Sequence, residues 1–225
     1  MIEDRYKDEL GAAYHSHKHL LNDEVKAMMA ENRVKKFLKY VSPDTLLLEY
    51  GVGGGFNIKN LVCKEKHGFD IATSVQEQVQ KFGIKFFNKE EEIANEYYDV
   101  IICNHVLEHV PNPIETLSII QSKLKDDGRL ILVLPYEYSR RLSKYNPNDR
   151  DFHLYAWNVQ SLTYLVMQVG FECVETQIRC CGYERYISAL ILKYRLPKFT
   201  FTPIFKLMNF LRPSKEIFLV LKKAN

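Results

Sequence analysis

Long hydrophobic runs are missing from this chain: nowhere in its 225 residues do about 18 apolar residues follow one another, the length a membrane-spanning helix requires. The opening stretch, MIEDRYKDELGAAYHSHKHL, also lacks the apolar core of a secretory leader, so the expected location is the cytoplasm. Cysteine is scarce and oddly arranged. Cys63, Cys103, Cys173, Cys180 and Cys181 contain no C-x-x-C pair, which argues against a disulfide framework or a zinc site and for reduced thiols. Excess charge is missing too. A net charge of +3 does not by itself call for nucleic acid as a partner. Internal repeats and low-complexity linkers are absent, and a chain of this length with 46% hydrophobic residues is sufficient for one compact domain.

What is present is an alternation. After a helical N-terminal region, in which Val25, Met28, Met29, Val34, Phe37 and Leu38 recur near the helical period, Ser42 to Thr45 break the pattern. Strand-like and helix-like segments then follow in turn: LLLEYG, FNIKNLVCKEK, HGFDIA, SVQEQVQKF, IKFFN, YYDVIICN, NPIETLSIIQSKLK and RLILVLP. This is the rhythm of an open parallel sheet, whose central strands are apolar throughout because helices cover both faces. Asn112 before Pro113 reads as a helix cap with proline at the first helical position, and Asp127-Gly128 as the stop of that helix. A further helix is expected over 158–169, then FECVETQIRCC and a closing strand in EIFLVLKK.

The first strand runs into four glycines within five positions, Gly51, Gly53, Gly54 and Gly55, at the place where such sheets bind ligands. A dinucleotide fingerprint requires G-x-G-x-x-G. Counted from Gly51 the sixth position is Phe56, and from Gly53 it is Ile58, so that fingerprint fails. The pattern present is acidic-x-G-x-G-x-G, formed by Glu49, Gly51, Gly53 and Gly55. Asp70 follows 19 residues after Gly51. A carboxylate there is able to accept two ribose hydroxyls at once, although a strand-ending Asp also serves as a solvated turn residue. In this the sequence resembles the class I S-adenosylmethionine-dependent methyltransferases, and YYDVIICNHVLEHVPNPIETL with LKDDGRLILVLP extends the resemblance over about residues 46–136. DFHLYAWNVQSLTYLVMQVGFECVE is similar, more weakly, to the branch that modifies small molecules and sugars.

The resemblance implies a Rossmann-like, seven-stranded, mostly parallel α/β sheet with helices on both faces and the last strand antiparallel. It implies S-adenosylmethionine as cofactor and S-adenosylhomocysteine as product. The glycine turn of Gly51, Gly53 and Gly55, with Glu49, would pass beneath the methionine and ribose, Asp70 would take the ribose, Asn88 the adenine, and Asn104 and His105 the methionine end. No metal is implied. If the acceptor is a hydroxyl its proton must leave, and a positioned His or carboxylate is the usual means. Glu108 and His109 lead as catalytic candidates, with His153 and His105 behind them. Against this, Glu108 could cap or salt-bridge the next helix with His109 packed under it. His15, His17 and His19 alternate like ligands on a strand but fall in a polar, helix-like stretch.

Residues 183–215 stand apart. They hold seven bases (Arg185, Lys193, Arg195, Lys198, Lys206, Arg212 and Lys215) against the single acid Glu184, a local charge of +6 that leaves the rest of the chain at −3. Seven aromatics interleave with them, and TPIFKLMNFLRP reads as an amphipathic helix. Either this segment covers the sheet or a second subunit, or it docks an acidic acceptor, a membrane face or RNA. The expected organisation is a single domain over 1–225, with a helical cover (1–42), a cofactor-binding core (43–182), a basic-aromatic insertion (183–215) and a final strand (216–225). The expected activity is O-methylation of a sugar or other small molecule, nucleotide- or lipid-linked forms included, in surface-glycan biosynthesis. N-methylation, RNA modification and a non-enzymatic scaffold are the alternatives. Nucleic acid is disfavoured as a partner because NHVLEH departs from the proline-aromatic motif of nucleic-acid amino-methylating enzymes. Peripheral contact with the inner face of the membrane and a homodimer are compatible with the insertion.

Overall fold

The computed structural model describes residues 22–136, 145–146 and 152–224. His15, His17 and His19 lie outside the described residues. Seven strands, β1 (Leu46–Tyr50), β2 (Glu65–Phe69), β3 (Lys85–Phe87), β4 (Tyr98–Asn104), β5 (Leu124–Pro135), β6 (Phe171–Cys180) and β7 (Lys215–Lys223), form one sheet in the order β3-β2-β1-β4-β5-β7-β6. All pairings are parallel except those of β7, which runs antiparallel to both β5 and β6. The Rossmann-like sheet expected from the sequence is therefore present. Among the described residues six helices accompany it: α1 (Asp23–Arg33), α2 (Gln76–Lys81), α3 (Pro113–Lys123), α4 (Val159–Gln168), α5 (Glu184–Lys193) and α6 (Phe201–Leu211).

The central strands are apolar because they feed two cores in alternation. In β5, Leu130, Leu132 and Leu134 face one layer and Ile131 and Val133 the other, and β7 repeats this with Ile217, Leu219 and Leu221 against Phe218 and Val220. The first layer is closed by Leu117 and Ile120 of α3 and by Leu162 and Val166 of α4. The second is closed by Val34, Phe37, Ile58, Leu61, Val75 and Val79. Each core leucine or isoleucine removed from water contributes about 1.5–3 kcal/mol, so a two-sided strand is held from both faces. A third, smaller cluster joins Met28 of α1 to Ile187, Ile191 and Phe201 of the insertion.

Four local readings are corrected. The segment after the glycines, expected to be helical over 56–66, is a string of turns closed by Gly55 N–H to Val52 O, Lys59 N–H to Gly55 O and Leu61 N–H to Ile58 O, and Glu65 and Lys66 already belong to β2. Positive φ at Gly51, Gly53 and Gly55 reverses the chain repeatedly, and the Asn57 side chain donates to Glu49 instead of leaving the backbone to continue a helix. Asp127-Gly128 does not stop α3, which ends at Lys123. It lies in the irregular start of β5, where a Cβ on Gly128 would sit 2.8 Å from the Tyr98 carbonyl oxygen. The N-terminal helical pattern resolves into α1 followed by two single turns, 34–36 and 38–40, so Leu38 faces solvent. The insertion contains two helices, α5 and α6, where one was expected.

Candidate active site

The chain leaves β1 toward β2 on one side and returns through β4 on the other, so the carboxyl ends of β1 and β4 border the crevice at the switch point of the sheet. Two backbone turns meet there. Gly51 has φ +78°, and a Cβ on it would lie 2.2 Å from Cγ2 of Val106, in the turn after β4. The absence of a side chain at Gly51 thus lets the two turns touch. The N–H groups of Gly51 and Val52 both donate to Phe69 O at 2.8 Å, tying the glycine turn to the end of β2.

Asp70 completes that tie. Its Oδ2 accepts from Gly53 N at 2.8 Å and its Oδ1 from Ala72 N at 3.0 Å. A carboxylate has about four acceptor positions, so two backbone bonds do not exhaust it. Glu49 lies wholly buried below the turn, with Oε1 accepting from Asn57 Nδ2 at 2.6 Å. Burial pushes its carboxyl up to about 8, and the Asn57 bond opposes only part of that. Its Oε2 meets no hydrogen-bond partner among the described residues. S-adenosylmethionine carries two ribose hydroxyls as donors, and the carboxylate of Asp70 suits that pair. Asn88 is exposed at the end of β3. Glu90, just beyond it, accepts the Tyr50 hydroxyl, while Glu91 and Glu92 are exposed.

At the end of β4 the structure gathers charged groups that the sequence scatters. Asn104 Oδ1 accepts from Lys36 Nζ at 3.3 Å. His105 adopts φ +57°, which turns its ring between two buried carboxylates, with Nε2 3.4 Å from Glu216 and Nδ1 3.6 Å from Glu108. Lys36 reaches both oxygens of Glu216 at 3.1 Å. Burial alone would raise the Glu216 carboxyl, but Lys36 and His105 outweigh it and hold it below the usual range. Lys36 and Glu216 were not singled out in the sequence. An acid opening the apolar run EIFLVL was the available signal for Glu216, and Lys36 has none because its partners lie 68 and 180 positions away.

Glu108 does not cap the next helix. That role belongs to Asn112, whose side chain accepts from Glu115 N. Glu108 is fully buried, and its Oε1 lies 3.9 Å from His109 Nε2 as well as near His105. The segment carrying His153 is held against it by Leu154 N–H to Glu108 O at 2.7 Å, and by the Tyr155 hydroxyl donating to Pro111 O. The rings of His109 and His153 consequently meet edge to face at 4.8 Å. The ligand atoms of Glu108, His109 and His153 all fall within 4.8 Å of one another, near enough that one divalent ion could draw them together. As they stand, a buried carboxylate beside two imidazoles forms an arrangement able to accept a proton and stabilise it there.

The sequence matches the methyltransferase-domain family over residues 15–176. The chain belongs to that family, and with it to the class I S-adenosylmethionine-dependent methyltransferases. It is 32% identical over 105 residues to a relative named tRNA U34 carboxymethyltransferase, from Helicobacter acinonychis, a match covering 40% of each chain. Among solved structures it resembles phosphoethanolamine N-methyltransferase 2 of Haemonchus contortus, bound to phosphomonomethylethanolamine and S-adenosylhomocysteine, at 15% identity and TM-score 0.58 over 87% of this chain and 52% of that one. The YcgJ protein of Bacillus subtilis is similar to the same degree, 15% identity and TM-score 0.58, over 87% of this chain and 99% of its own. The chain thus spans about half or less of the bacterial tRNA enzyme and of the nematode enzyme. No helix among the described residues is long and apolar enough to cross a membrane.

Proposed function

We propose that this chain transfers the methyl group of S-adenosylmethionine to a hydroxyl of a sugar or other small molecule, with surface-glycan biosynthesis as the setting. The cofactor supplies, when bound, a sulfonium-activated methyl group. Asp70 would hold the ribose, the backbone from Gly51 to Gly55 would lie beneath ribose and methionine, Asn88 would face the adenine, and Asn104 and His105 would border the methionine end. The observation that carries the acceptor assignment is the buried Glu108 with His109 and His153 at the mouth of β4. A neutral amine attacks without a base, whereas a hydroxyl has a proton to lose. His109 takes that proton through the ring nitrogen other than the one facing Glu108, and Glu108 stabilises the imidazolium so formed. His153, edge-on to His109, would fix the orientation of that ring.

One observation favours a second reading, modification of RNA: the 32% identity to an enzyme named for tRNA U34. Against it, Asn104 is followed by His105, Val106, Leu107, Glu108 and His109, with no proline pair or aromatic residue to stack a base.

Calorimetric titration with S-adenosylhomocysteine and with NADH tests the cofactor, and the first alone is expected to bind. Asp70→Ala should weaken that binding by about 1.5–3 kcal/mol, the range for hydrogen bonds to a charged group. Incubation with labelled cofactor and separate pools of nucleotide sugars, lipid-linked saccharides and tRNA tests the acceptor. Label in tRNA alone would replace the hydroxyl reading with the second.

A further inference from the structure

We infer that the helical hairpin of α5 and α6 is a docking surface for an anionic lipid bilayer, seating the protein peripherally on a membrane. Helix α6 is apolar on both sides. Phe201, Phe205 and Met208 pack inward on Met28, Ile187 and Ile191. Pro203, Leu207 and Phe210, spaced four and three apart, form a second stripe that faces solvent together with Leu211. Phe199, just before the helix, is 79% exposed, Phe210 83% and Leu211 72%. A helix apolar all round belongs in contact with something apolar on each side, and the described residues cover only one side. On α5 the exposed stripe is Tyr186, Leu190 and Tyr194, again at helical spacing, and tyrosine suits the polar-apolar boundary of a bilayer.

Charge identifies the occupant. Arg185, Lys193, Arg195, Lys206 and Arg212 are exposed around these stripes, and none pairs with an acid among the described residues. Lys198 is different, since it bonds Glu31 of α1. The only acid of the segment, Glu184, lies within the field of Arg33. Apolar side chains long enough to enter the acyl boundary, ringed by unpaired bases, are complementary to anionic headgroups. A second copy of this chain would instead set one +6 segment against another, a repulsive contact without counter-charge.

The test needs neither cofactor nor acceptor, so its outcome is independent of the proposed methyl transfer. The full chain is sedimented with vesicles of phosphatidylcholine alone and of phosphatidylcholine mixed with phosphatidylglycerol. The expected result is capture by the mixed vesicles, weakening as salt rises and weak on phosphatidylcholine alone. Lys206→Gln with Arg212→Gln should lower the partition coefficient roughly fivefold for each base removed. Phe199→Ser with Phe210→Ser should abolish capture, while S-adenosylhomocysteine affinity and thermal stability stay at the parent value because all four side chains are exposed. Failure of the parent chain to bind the mixed vesicles overturns the inference, as does binding that both double variants retain. A dimer by analytical ultracentrifugation that Phe199→Ser with Phe210→Ser dissolves would assign the face to a second copy, and binding of tRNA with no vesicle capture would assign it to RNA. Either result also overturns it.

Discussion

In the proposed reaction, single side chains at the end of β4 carry the chemistry. His109 lies 3.9 Å from a carboxylate that is wholly buried, which in the proposed reaction would stabilise its imidazolium once it had taken the acceptor's proton. His109→Ala is expected to lower turnover about 10²–10⁴-fold, the range for a general base, and to leave S-adenosylhomocysteine affinity nearly unchanged. Single-turnover rates with calorimetry in parallel check the split. A variant with unaltered turnover would pass the role to His153 or His105. Prior dialysis against a chelator should leave the parent rate as it was; a loss restored by a divalent ion would instead make Glu108, His109 and His153 its ligands. Glu49 offers a second test at this scale. Its carboxyl is raised from 4.5 to about 8, chiefly by burial, so the folded state keeps a proton that the unfolded chain has released. Stability therefore falls as pH rises between about 4.5 and 8, by up to about 1.4 kcal/mol per pH unit in that window. Urea unfolding of the parent and of Glu49→Gln should show the stability difference shifting in favour of the variant as pH rises. Parallel curves would mean that the carboxyl is ionised in the fold.

The glycine turn acts as an element whose shape depends on a neighbour distant in sequence. Gly51 combines φ +78° with a hypothetical Cβ contact of 2.2 Å to Val106 Cγ2, two separate penalties. The left-handed backbone costs a non-glycine residue of order 1–3 kcal/mol, and the overlap adds to it. Gly51→Ala is expected to lower stability by at least that amount, and Val106→Ala in the same chain to return the steric part while leaving the backbone part. Urea unfolding of the two single variants and the double variant measures the coupling; simple additivity would show that the turns do not touch. This contact also explains why only part of the element was legible. The spacing of Glu49, the glycines and Asp70 is short-range, so the ligand turn could be read along the chain. The helix expected after it could not be judged, because the fate of 56–66 is decided by Asn57 donating to Glu49 and by Ile58 and Leu61 entering the core.

At the scale of the whole molecule, Lys36 and Glu216 join the N-terminal segment to the last strand and both to the end of β4. Glu216 is almost fully buried. Removing one partner of a buried pair costs about 3–5 kcal/mol because the other charge is stranded. Lys36→Met should approach that loss in urea unfolding, and Lys36→Met with Glu216→Gln should recover most of it. A Lys36→Met variant as stable as the parent would mean that Glu216 is neutral or solvated in the fold.

The sequence by itself determined the alternating strands of a mostly parallel sheet and the turn at the end of β1, while the strand order came from the structure. Apolar runs broken by glycine, asparagine and proline encode strands and helices locally, and Glu49, Gly51, Gly53, Gly55 and Asp70 lie within 22 residues of one another. Only the tertiary structure decided which groups surround the candidate base. Lys36, the His105–Glu108 turn, His153 and Glu216 come from four separate stretches of the chain, and nothing in the spacing within any one stretch encodes the others. Their meeting depends on β7 inserting between β5 and β6, which places Glu216 beside His105, and on the Leu154 N–H to Glu108 O bond, which places His153 beside His109. Contacts between distant segments follow from how the layers pack, and packing is a property of the whole fold.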